Sequence, residues 1–240
     1  MEHEELIDAL RREGEALAEV RLVDVDVPTC PEWSLPELVH HVGSVHRWQE
    51  AQLRSDDPTA LVKVDRAERP PLNALGGWYR AGLASLLDAF AEVGPHRVTP
   101  TWFGPRPASF WARRAAHETA IHRWDAEASV TTPQPLDAGQ AVDALDELLE
   151  VLAPRRFDAA AWTGPDVSIH LHATDTEGEW MIRLGATGLQ VSHAHDKGDL
   201  AARGSASDLL LMIAGRVPPA RLELFGDAAV IDRWHREVAI

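Results

Sequence analysis

Ala116-His117-Glu118-Thr119-Ala120-Ile121-His122-Arg123-Trp124-Asp125 lies inside a helical stretch that runs from about 107 to 129. Spacing decides how it is read. His117 and His122 are five apart, so at ~100° per residue they diverge by about 140° and cannot share a face. The metalloprotease H-E-x-x-H pattern is therefore not met. Glu118 and His122 are four apart and stack on one face, in line with Trp111 and Ala115 on the side expected to face inward. A buried carboxylate beside an imidazole needs a partner, because burying an unpaired charge is expensive. A metal ion supplies one, since both groups are zinc ligands, whereas a Glu–His hydrogen bond on a wetter face is the plainer alternative.

Working outward, the first half reads as helices. Leu6, Ile7, Leu10, Leu17 and Val20 recur at helical spacing over 3–22. Asp24 to Pro31 breaks that helix, and Ser34-Leu35-Pro36-Glu37 restarts one as a capping box that runs to about 54. The Asp- and Pro-rich segment 55–73 reads as a loop, 74–93 as a third helix ended by Gly94-Pro95, and 138–152 as a fifth. Helices of this length joined by loops predict a bundle. The second helix offers a third metal ligand. His41 and His46 both border its inward side and spacing does not choose between them, while His40 is expected in solvent.

After Pro154 the texture changes. Val167–His172 alternates with period two, Trp180–Leu184 and Leu189–His193 repeat the style, and Gly178, Gly185 and Gly188 mark the turns. A helix over 205–214, a strand over 221–225 and a helix over 227–238 complete a small α+β domain. The expected fold is thus a helical domain over 1–155 and an α+β domain over 160–240. His170 with His172, and His193 with His195, read as polar strand faces, each lacking a carboxylate at compelling spacing. Asp125, three residues after His122, reads either as an acceptor orienting a metal ligand or as a solvated carboxylate. Cys30 reads as a structural thiol.

Composition narrows the function. The 240 residues carry a formal charge of −15, which repels phosphate backbones and anionic lipid and argues against nucleic acid as a partner. No apolar run approaches a membrane span and the acidic start lacks a signal peptide's basic region, so a cytoplasmic protein is expected, as monomer or homodimer. A single cysteine excludes an internal disulfide and fits a reducing compartment. Any thiol chemistry needs sulfur from a second molecule.

Cys30-Pro31-Glu32-Trp33-Ser34, Leu38-Val39-His40-His41-Val42 and Ala116 to Asp125 together resemble the mycothiol-dependent maleylpyruvate isomerase family. Gly204 to Leu211 and Leu224-Phe225-Gly226-Asp227 resemble its C-terminal domain, so the likeness covers most of the chain. It implies a DinB-like up-down four-helix bundle followed by a small, sterol-carrier-like α+β domain. It also implies His41, Glu118 and His122 as ligands of one divalent metal, expected to be Zn2+. Two histidines and one carboxylate leave a coordination position open, as in catalytic sites. The co-substrate it implies is mycothiol, the small thiol of actinobacteria, whose thiolate attacks a small-molecule electrophile in an isomerase or S-transferase reaction. An anionic electrophile calls for a cation, and Arg216 is the candidate chosen from Arg183, Arg203, Arg216 and Arg221. A non-catalytic binding protein and a zinc-dependent hydrolase are the rival readings.

Overall fold

Leu6, Leu10 and Leu17 form the buried side of α1 (His3–Glu19). A computed structural model describes residues 1–238, and in it α1 opens the first of two units, Met1–Gln134 and Pro135–Ile240. A short hairpin follows, β1 (Asp26–Val27) with β2 (Cys30–Ser34), then α2 (Leu35–Leu53) and α3 (Leu72–Val93). A second hairpin, β3 (Val98–Thr99) with β4 (Arg106–Pro107), leads into α4 (Ser109–Ala128). α1 packs along α4 and α2 along α3, with α2 also against α4 and α1 against α3, which closes a four-helix bundle.

Two apolar clusters hold the bundle. Leu6, Leu10, Leu53, Leu86, Phe90 and Trp111 form one. Leu17, Leu35, Leu38, Val42, Leu75 and Tyr79 belong to the other. Each fully buried leucine contributes roughly 1.5–3 kcal/mol. α2 starts where the sequence predicts: the Ser34 backbone N–H donates to Glu37 Oε2 at 2.8 Å, closing the capping box. α4 is unlike its neighbours, because it buries Arg114, His117, Thr119, His122, Arg123 and Asp125 as well as its alanines. Buried polar groups need partners, and Arg123 finds them in Glu13 of α1 at 2.8 Å, Glu127 at 2.8 Å and the Gln134 carbonyl at 2.7 Å.

In the second unit α5 (Ala138–Glu147) runs through a π-helical turn at Leu148–Leu152 into α6 (Ala153–Arg156). A sheet follows of β5 (Val167–Ala173), β6 (Glu179–Gly185), β7 (Gly188–Ser192), β8 (Leu200–Gly204) and, after α7 (Ala206–Ile213), β9 (Glu223–Gly226); α8 (Ala229–Val238) ends the described chain. The strand order is β7-β6-β5-β8-β9, antiparallel except for the parallel pair of β5 and β8. Gly188 has φ +116°, the conformation that lets β6 turn into β7. Alternation puts Ile169, Leu171, Trp180 and Ile182 on the apolar side, where Trp180 Nε1 donates to Asp146 of α5 at 2.6 Å.

Sequence and structure differ at the division of the chain. The helix at 138–147 belongs with the sheet, because Ala141, Ala144 and Leu145 are buried and α5 packs on α7. Among the described residues no helix is long and apolar enough to cross a membrane.

Candidate metal centre

The β1–β2 hairpin and the helices it meets build one polar cluster in the bundle. α2 presents His41 two turns after its capped start, and α4 presents Glu118 and His122 on one face. His41 Nε2 lies 3.4 Å from Glu118 Oε1, and His122 Nε2 lies 3.3 Å from the same oxygen. The two imidazoles meet edge to face, with ring centroids 5.2 Å apart. The three ligand atoms all fall within 4.8 Å of one another.

Each ligand is held from behind. Arg114, one turn before Glu118, donates to Glu118 Oε2 at 2.6 Å and leaves Oε1 turned toward the histidines. His122 Nδ1 donates to Asp125 Oδ2 at 3.0 Å, so Nε2 faces the cluster. Asp125 is fully buried and also accepts from Thr29 Oγ1 at 2.6 Å, with Cys30 Sγ 3.7 Å from its other oxygen. Such a carboxylate behind a ligating histidine fixes its tautomer and ring orientation. The Trp33 ring lies against His41 at a centroid distance of 4.6 Å. The side chains of His41 and Glu118 stay about a quarter exposed, at 26% and 27%, against 9% for His122. One edge of the cluster is therefore open.

The electrostatics follow from these contacts. Burial raises the Glu118 carboxyl, but hydrogen bonds from His122 and His41 and the Arg114 charge hold it well below the usual range. Burial pulls His122 down, and hydrogen bonds to Asp125 and Glu118 more than reverse this, to about 9. Two imidazole nitrogens and a carboxylate oxygen around one point, each oriented by a further partner, fit a divalent cation of the zinc class.

Several expectations change. His46, the alternative to His41, turns inward: it is fully buried, its Nε2 lies 2.9 Å from Thr119 Oγ1, and burial pushes it down to about 3. His40 is buried rather than solvated, because the 55–71 segment folds back and Ala67 meets its Nε2 at 3.0 Å. Arg216 follows α7 in the second unit and donates to the Ala214 carbonyl at 2.6 Å. Arg114 is absent from the sequence expectations, although its spacing to Glu118 signals it. Thr29 and Trp33 carry no such signal, since only the hairpin brings them to α4 and α2. Beside His41 lies a cavity of about 260 Å³ whose wall includes Ser44, Trp48, Arg66 and Trp78.

A four-helix bundle with two histidines and a glutamate gathered from its second and fourth helices, joined to an α+β unit, defines a DinB-like class of enzymes. Residues 3–127 match the mycothiol maleylpyruvate isomerase N-terminal domain and 140–233 match the MDMPI C-terminal domain, so the chain belongs to the mycothiol maleylpyruvate isomerase family. Crystal structures of the mycothiol-dependent maleylpyruvate isomerase share the fold. One is 18% identical with a TM-score of 0.58 and 90% of each chain covered. A histidine-to-alanine mutant of it is 17% identical, also at 0.58, with 93% of each covered. No curated protein sequence matches the chain.

Proposed function

We propose that the chain is a metal-dependent, mycothiol-using isomerase or S-transferase acting on a small electrophile; mycothiol and isomerase are the parts its family's name supports. The observation that carries this is the convergence of His41, Glu118 and His122 on one point beside an open edge. A zinc-class cation held by these three side chains would supply Lewis acidity and favour the thiolate form of a thiol at neutral pH.

The chain's own residues do the rest. Asp125 keeps His122 Nε2 aimed at the centre, and Arg114 neutralises the Glu118 oxygen that faces away. Trp33 covers His41 on one side, and the 260 Å³ cavity opens beside the same residue. That volume lies near the lower end of the ~300–1,000 Å³ range of small-molecule sites, suited to a compact electrophile. In the reaction, thiolate sulfur bonds to an electrophilic alkene carbon and the double bond becomes single. The displaced electron pair rests on the neighbouring carbon as an enolate; rotation and expulsion of the thiolate re-form the alkene as its isomer, whereas in a transferase a proton from solvent quenches that carbon and the thioether leaves. In a chain of net charge −15 an anionic substrate needs a local cation. Arg66 on the cavity wall and Arg216 of the second unit are proposed for that role.

Metal analysis of protein purified without added metal tests the reading. Glu118→Ala should hold about one equivalent less than the parent and should lose mycothiol-dependent turnover. Equal metal content in both overturns it.

A further inference from the structure

The sheet of the second unit carries a second set of metal-binding side chains, unrelated in sequence to the first. His170 and His172 alternate on one side of β5, opposite the apolar face of Ile169 and Leu171. The antiparallel register with β6 sets His172 directly across from Glu179 and His170 across from Met181. The segment from 193 to 199 leaves β7, passes β6 and β5, and enters β8, carrying His195 with it. It is fastened on both strands: Arg183 of β6 donates to Asp196 at 2.8 Å, and Ser168 Oγ of β5 donates to Asp199 at 2.8 Å.

Three ring nitrogens converge on one carboxylate oxygen. Glu179 Oε1 is hydrogen-bonded to His172 Nδ1 and, at 2.8 Å, to His195 Nδ1, and it lies 3.9 Å from His170 Nε2. The His170 and His195 rings stand at 87° with centroids 5.1 Å apart. His170 is the informative member. Its side chain is only 9% exposed, and its Nε2 is a buried nitrogen with no hydrogen-bond partner, aimed at Glu179 from beyond hydrogen-bonding range. A buried polar atom left this way costs about 1–3 kcal/mol, so it calls for an explanation.

We infer that His170, Glu179 and His195 form a second divalent transition-metal site, which pins the 193–199 crossover to the sheet. His170 Nε2, Glu179 Oε1 and His195 Nδ1 lie within 4.8 Å of one another. Ligands ~2.0–2.2 Å from a tetrahedral ion stand roughly 3.3–3.6 Å apart, so Glu179 Oε1 and His195 Nδ1, now 2.8 Å apart, must separate by about half an ångström, and His170 Nε2 and Glu179 Oε1, now 3.9 Å apart, must close by about as much. His195 is exposed on a loop and supplies the first movement; strand register fixes the backbones of His170 and Glu179, and a small rotation of the part-exposed Glu179 side chain supplies the second. His172 orients Glu179 through its hydrogen bond and leaves the far coordination positions to water. Two imidazoles and one carboxylate select a zinc-class ion over calcium or magnesium, which favour all-oxygen sets.

Tag-free, full-length protein stripped with chelator and titrated with Co2+, followed by calorimetry and visible absorption, tests this. The parent should take two equivalents. His195→Ala and His170→Gln should each take one, Glu118→Ala should also take one, and the Glu118→Ala/His195→Ala double variant none. Saturating Zn2+ should slow amide exchange across 193–199 about tenfold or more in the parent and not in His195→Ala. A single equivalent abolished by Glu118→Ala, or a second equivalent that survives His195→Ala, overturns the inference. A single equivalent lost in His195→Ala and kept in Glu118→Ala supports this site and sinks the bundle centre.

Discussion

His122 is engaged at both ring nitrogens, by Asp125 and by Glu118, and its behaviour without metal is the sharpest test at the scale of a residue. Its pKa is raised from 6.5 to about 9, with hydrogen bonds to Asp125 and Glu118 outweighing burial. A group raised on folding contributes stability that is complete below its unfolded pKa and is lost as pH climbs through the folded one. Metal-free protein should therefore melt at progressively lower temperature between about pH 6.5 and 9 on this account, and Asp125→Asn should flatten that slope. The same substitution should weaken metal binding by about 10–100-fold, read by competition with a chromophoric chelator. An unchanged affinity would mean that Asp125 does not orient His122. Glu118 and His122 are legible in sequence because helical period alone stacks residues four apart. The choice between His41 and His46 is not, since both border the buried stripe and only the rotation of α2 against α4 sends His46 to Thr119.

Among the elements, α4 departs most from a simple amphipathic pattern. It is buried on several sides at once and carries a run of polar side chains into the interior. The pair of Arg123 and Glu13 ties α4 to α1 at 2.8 Å with both side chains nearly inaccessible. Glu13→Ala strips the buried Arg123 Nε–H of its acceptor while Glu127 still balances the charge, so it should cost roughly 1–3 kcal/mol in chemical denaturation. A loss under about 1 kcal/mol would show that water reaches Arg123 instead. The hairpin of β1 and β2 is the element least visible beforehand. Its five-residue strand CPEWS has no clear alternation, and a proline stands within it. It exists because it is tethered, through Thr29 and Cys30, to the buried carboxylate of Asp125.

For the molecule as a whole, a net charge of −15 sets the long-range field. An anionic substrate is repelled until it is close to the site, and salt screens that repulsion as the Debye length falls from about 30 Å at 0.01 M to about 8 Å at 0.15 M. The KM for an anionic electrophile should therefore fall by a few-fold as salt rises over that range. A rise would instead place a local cationic surface in control of encounter. The division of the chain also belongs to this scale. Helical periodicity at 138–152 carries no information about which unit the helix joins, and packing of α5 on α7 assigns it to the second.

The helices, the alternating strands, the capped start of α2 and the stacking of Glu118 on His122 were all legible in the residues alone, because each follows from periodicities a few residues long. Only the tertiary structure turned His41 rather than His46 toward Glu118, brought Thr29 to Asp125 and Trp33 to His41 through the hairpin, and drew His170, Glu179 and His195 together across a strand register and a crossover loop. Those contacts join residues far apart in the chain, and nothing in local spacing encodes the rotation of one helix or the course of one loop against its neighbours.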